Sequence, residues 1–93
     1  MIRDDYIRLG FEPIGHFTVG DALLYQIGRD RHLSAGCVGT PNETLWICQM
    51  NPNSPKDCDD LICLHNYDYD GYMTEEKLET LIKALDENYN RRS

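Results

Sequence analysis

The run from Leu61 to Tyr89 constrains this chain more than any other. An apolar segment, Leu61-Ile62-Cys63-Leu64-His65, leads without a linker into an acidic, tyrosine-rich turn, Asn66-Tyr67-Asp68-Tyr69-Asp70-Gly71-Tyr72-Met73. A helix follows at once. Thr74 is a good N-cap, and Glu75 and Glu76 stand where the helix dipole favours acids. Leu78, Leu81, Ile82, Leu85 and Tyr89 recur at helical spacing and form one apolar stripe, so the helix is expected to run to about Tyr89. A helix with a single stripe needs a surface to cover, and the rest of the chain reads as that surface.

Upstream, Asp4 or Asp5 is placed to cap a short helical turn carrying Ile2, Tyr6 and Leu9 on one side, and Gly10 suits its left-handed end. Phe11 to Thr18 reads as a poor first strand, with Pro13 fitting an edge. Val19-Gly20-Asp21 is a turn. In Ala22 to Ile27, Leu23, Tyr25 and Ile27 alternate with Leu24 and Gln26, the period of a strand. Gly28 to Arg31 is a hairpin connection to a strand at His32 to Val38. There Leu33, Ala35 and Cys37 face one way and Ser34, Gly36 and Val38 the other. Gly39 to Asn42 is a second turn, and Thr44 to Met50 the most strand-like run, with Leu45 and Ile47 opposite Trp46 and Cys48. Asn51 to Asp60, with two prolines, reads as a polar loop. Leu61 to His65, apolar on both faces, reads as a central or doubly covered strand. The expected fold class is therefore α+β: a single domain over 1–93, with a four- to five-stranded antiparallel β-meander and a C-terminal α-helix packed on one face. The uncovered face would carry Trp46, Leu24, Met50 and Val38, a patch open to a partner or a second copy.

Charge narrows the function. The formal net charge is −7 over 93 residues. Most of it lies after residue 56, where ten acids outnumber four bases. Such a surface repels nucleic acid and anionic membrane and attracts basic partners, although it also serves simply to keep a small protein soluble. No apolar run is long enough for a membrane span, and Met1-Ile2-Arg3-Asp4-Asp5 has no signal core. Four cysteines in such a chain are expected to be free thiols of a reducing cytoplasm. Cys37, Cys48 and Cys63 are expected to be buried, and Cys58 to be exposed in the loop.

The chemistry-bearing residues do not make a high-specificity motif. Asn66 to Lys77 resembles a calcium-binding EF-hand loop, with Asn66, Asp68 and Asp70 at ligand positions and Gly71 at the turn. The twelfth position, however, is Lys77 instead of a bidentate Glu, and no helix leads in. The competing reading is an Asx-rich turn with Gly71 at positive φ. Cys58, Cys63 and His65 lack the paired spacing of a zinc knuckle, although Cys63 and His65 should share a strand face. His16, His32 and His65 could each serve a nucleophile, but no nucleophile elbow or phosphate loop accompanies them. No cofactor or metal is expected, and the chain is read as a non-enzyme.

Acids and tyrosines carry the functional expectation. Asp57, Asp59 and Asp60 precede Tyr67, Asp68, Tyr69, Asp70 and Tyr72, and carboxylates between tyrosines suit arginine forks on a basic protein surface. Against this, some of the tyrosines could pack the strand–helix junction and the aspartates could be turn formers. A second expectation is a homo-oligomer that sequesters a small nucleotide signal over Trp46, with Arg29, Arg31 or His32 meeting phosphate. A cysteine- or metal-dependent enzyme is the third.

Gly15-His16-Phe17-Thr18-Val19-Gly20, Cys37 to Glu43 and Leu64 to Gly71 together resemble small proteins encoded by bacteriophages and mobile elements of gut bacteria, over most of residues 14–85. The resemblance supplies no site residues. It implies a context: the cytoplasm of a bacterial host, and an accessory protein that binds and inhibits a host or antiviral-defence protein, either alone or as a homodimer or higher oligomer.

Overall fold

The structure, a computed structural model, describes residues 1–13, 23–51 and 54–89; the side chains of 50–58 and 60 are outside the description. The chain forms α1 (Arg3–Arg8), β1 (Glu12–Pro13), β2 (Leu23–Gln26), β3 (Arg31–Gly36), β4 (Thr44–Asn51), β5 (Ser54–Asn66), α2 (Tyr67–Asp70) and α3 (Glu75–Leu85). The five strands make one sheet in the order β1-β2-β3-β4-β5, and every neighbouring pair is antiparallel. This is the expected α+β meander with a C-terminal helix.

Period two decides which face is covered. Leu23, Ala35, Leu45 and His65 make one row across β2 to β5, and Tyr25, Leu33, Ile47 and Ile62 make the next. Leu78 and Ile82 of α3, Met73, Tyr6 and Phe11 join the buried apolar members of these rows in one core. Thr74 caps α3 as expected, its Oγ1 accepting from the Lys77 N–H. The helix stops at Leu85, earlier than the stripe suggests. Tertiary contacts end it: Asp86 Oδ2 accepts from the Tyr25 hydroxyl at 2.6 Å, and Glu87 N–H donates to the Ile27 carbonyl at 2.8 Å.

At the other end, α1 closes as a Schellman motif. Phe11 N–H reaches the Tyr6 carbonyl, Gly10 N–H reaches that of Ile7, and Gly10 has φ +111°. The motif's apolar contact is a T-shaped pair of the Tyr6 and Phe11 rings, with centroids 5.3 Å apart. The expected aspartate cap is not made. Ile2 occupies the N-cap with no side-chain bond and is exposed, because Asp4 and Asp5 lie inside the first turn.

Other readings change for identifiable reasons. Residues 54–60, expected in a loop, are strand. β5 pairs with β4 through Gln49 with Asp59 and Met50 with Cys58 as far as Asn51 with Ser54, since an edge strand keeps polar side chains solvated while its backbone pairs. Nor is β5 central: among the described residues it ends the sheet. Its register with β4 shifts at three places, and two of the shifts leave Leu64 and Leu61 as extra residues in bulges. The slip at Leu64 also puts Cys63 and His65 on opposite faces, Cys63 paired with Trp46 and His65 with Leu45. Of the cysteines expected to be buried, Cys48 is, whereas Cys37 and Cys63 are exposed. Cys37 leaves β3 at φ +51° and sits in the turn, and Cys63 is on the edge. Cys58 lies within β5, its side chain outside those described. On the face away from α3, Leu24 is buried rather than exposed and Trp46 is half-buried. Val38 packs against the core instead, because the chain turns after Gly36. The expected strand beyond Pro13, the turn at 19–21 and Ala22 lie outside the described residues.

Candidate protein-docking surface

The tyrosine-rich turn is built from Asn66 outward. The Asn66 side chain accepts from Asp68 N–H at 3.0 Å and caps α2, and Asp70 Oδ2 accepts from Asn66 N–H at 3.2 Å. The turn closes at Gly71, whose φ of 73° and ψ of −158° belong to glycine alone. Two buried groups then hold it to the fold.

The first is Glu43, fully buried immediately before β4. Its Oε2 accepts from the Tyr6 hydroxyl at 2.8 Å and from Gly39 N–H at 3.3 Å. Its Oε1 accepts from Met73 N–H at 2.9 Å and lies 3.6 Å from the α-ammonium of Met1. The Glu43 carbonyl accepts from Tyr67 N–H, so one residue ties both ends of the turn. Burial, and then the bond to Glu43, push the Tyr6 phenol up, keeping it a donor.

The second is His65. Its Nε2 lies 2.8 Å from the Gly71 carbonyl and its Nδ1 2.9 Å from Lys77 Nζ. A carbonyl only accepts and an ammonium only donates, so the network assigns the neutral tautomer with the proton on Nε2. The Lys77 ammonium is also 4.0 Å from Asp70 Oδ1. The residue that breaks the EF-hand pattern thus brings its own cation to the loop. Among the described residues no group of His, Cys, Asp and Glu side chains is placed to hold a metal ion.

The side chains left outside form the surface. Tyr67 and Tyr72 stack edge to face at 4.7 Å, and the Tyr72 hydroxyl is pushed up, first by Tyr67 and then by burial. Tyr69 is 89% exposed, between exposed Asp68 and Asp70. Beside it an open groove of about 330 Å³ is lined by Trp46, Cys63, Leu64, His65, Tyr69 and Asp70 among others. Asp59 is exposed on the same edge strand, and Asp57 and Asp60 belong to that strand with side chains outside those described.

The residues of the nucleotide reading are only partly gathered. His32 and Trp46 share the face away from α3, whereas Arg31 lines a cleft on the helix side with Ile27, Ile47, Leu85 and Glu87, and Arg29 lies in the exposed hairpin turn. His32 is half-buried, with Nδ1 enclosed and lacking a hydrogen-bond partner among the described residues; burial lowers its pKa against the opposing pull of Asp30.

Sequence reasoning missed Glu43 and the His65–Lys77 bond. A glutamate after a turn reads as solvated, and the only signal for the second was the misplaced lysine of the calcium-like loop. Among the described residues no helix is long and apolar enough to cross a membrane. Comparison with protein-family models, with curated proteins and with solved structures finds no match.

Proposed function

We propose that this chain is a small acidic binding protein that docks on a basic protein surface through the turn Asn66–Tyr72, and that it is not an enzyme. The observation that carries this reading is Tyr69, an aromatic side chain 89% exposed between two exposed aspartates on a backbone held by Glu43 and His65. A rigid tyrosine offers contact area at small entropic cost, and flanking carboxylates pair with guanidinium groups. The groove against Trp46 widens the aromatic surface. The resemblance to phage-borne accessory proteins makes a host or defence protein the expected partner, with inhibition by occlusion as the mode of action. The nucleotide reading has less support, since Arg31 is on the other side of the sheet from Trp46.

The test compares the parent chain with the Asp68→Lys/Asp70→Lys variant in capture from a host lysate. A basic protein held by the parent, lost by the variant and released as salt rises through about 0.1 M supports the reading, because exposed charges are screened beyond about 10 Å there. The same protein held equally by both chains overturns it.

A further inference from the structure

The two edges of the sheet are unlike. Among the described residues β1 is Glu12–Pro13, and Pro13 donates no ladder bond. Pro55 limits only the first residues of β5; from Cys58 to Asn66, with bulges at Leu61 and Leu64, the strand pairs among the described residues with β4 alone. The core also stops short at β5. Tyr25, Leu33 and Ile47 are buried along their row, and Ile62, next in that row, is 55% exposed because α3 packs over the earlier strands. Leu61 beside it is 44% exposed. A long edge with open apolar side chains is a template for another strand.

Charge chooses between occupants. A second copy would bring its own net −7, with Asp59 exposed on the same strand and Asp68 and Asp70 exposed on the turn that follows it. A basic segment would meet those acids with opposite charge. We infer that β5 takes up an extended, basic segment of a partner protein as a sixth strand, with an apolar residue beside Ile62 and a lysine or arginine on the opposite face, beside Cys63 and within reach of Tyr69 and Asp70. The inference rests on the reading above that the partner is basic, and adds the backbone pairing that holds it. An added strand continues the buried row over Ile62 and carries its alternate side chains toward the groove at Trp46.

The probe is an acetylated, amidated peptide of alternating lysine and valine in equal number, with two N-methylated derivatives that are isomers of each other, one methylated at every valine and one at every lysine. Binding is followed by calorimetry, and β5 amides by hydrogen exchange. The expected result is that the parent peptide binds and slows exchange in β5, that one isomer binds at least tenfold more weakly, and that Ile62→Ser lowers affinity about fivefold. Equal binding of both isomers with no protection of β5, or no binding of the parent peptide, overturns the inference. So does concentration-dependent protection of β5 without peptide, which means a second copy occupies the edge. Binding abolished by Asp68→Lys/Asp70→Lys without protection of β5 leaves the turn standing and the edge refuted. Protection of β5 that is indifferent to those substitutions supports the edge and refutes the turn.

Discussion

Glu43 shows how much one buried side chain can organise. Its carboxylate gathers Tyr6, Gly39, Met73 and the Met1 ammonium, and each carboxylate oxygen is bonded. Removing the carboxylate leaves the other groups enclosed without their acceptor, which costs more than the net worth of the bonds themselves. Glu43→Leu is expected to lose about 3 kcal/mol or more of unfolding free energy, and Tyr6→Phe about 1.5–3 kcal/mol. Because both changes break the same contact, their sum should exceed the loss in the double variant, a coupling that urea unfolding of the two single variants and the double variant measures. None of this was legible in the sequence. Tyr6 is 37 residues from Glu43 and Met73 is 30 away, and no local pattern marks a pairing over such separations.

At the level of elements, local chemistry was informative where it acts through neighbouring backbone. The Thr74 cap, the end of α1 at Gly10 and positive φ at Gly71 all follow from residue types within a few positions. Gly71 and Gly10 allow a graded test. A Cβ at Gly71 meets nothing within 4 Å, so Gly71→Ala carries backbone strain alone, about 1–3 kcal/mol. A Cβ at Gly10 would stand 2.9 Å from Cε2 of the Tyr25 ring, so Gly10→Ala adds a displaced core ring to its strain and should lower the urea midpoint further. A smaller effect at Gly10 than at Gly71 would mean that the ring moves freely. The length of β5 was hidden for the opposite reason. Pro55 and three aspartates look like loop chemistry, yet pairing with β4 uses backbone that composition does not report.

Across the whole molecule, the sheet is covered unevenly, and stability should follow. Ile47 and Ile62 are neighbours in one row with the same side chain, one buried and one 55% exposed. Ile47→Ala is expected to cost about 2–4 kcal/mol, and Ile62→Ala about 1 kcal/mol or less. Comparable losses by thermal or urea unfolding would show that the edge is covered in solution. By itself the sequence determined the α+β class, the order of strands along the chain, the covered face of β2 to β4 and the acidic sign of the surface. Those follow from periodicity, capping and net charge, which are local or additive. Only the tertiary structure decided that β5 is an edge, that its bulges turn His65 inward and Cys63 outward, and that Tyr69 stands free while Tyr67 and Tyr72 hold each other. Those depend on which strand ends the sheet and where the helix reaches, and both are set by contacts between residues far apart in the chain.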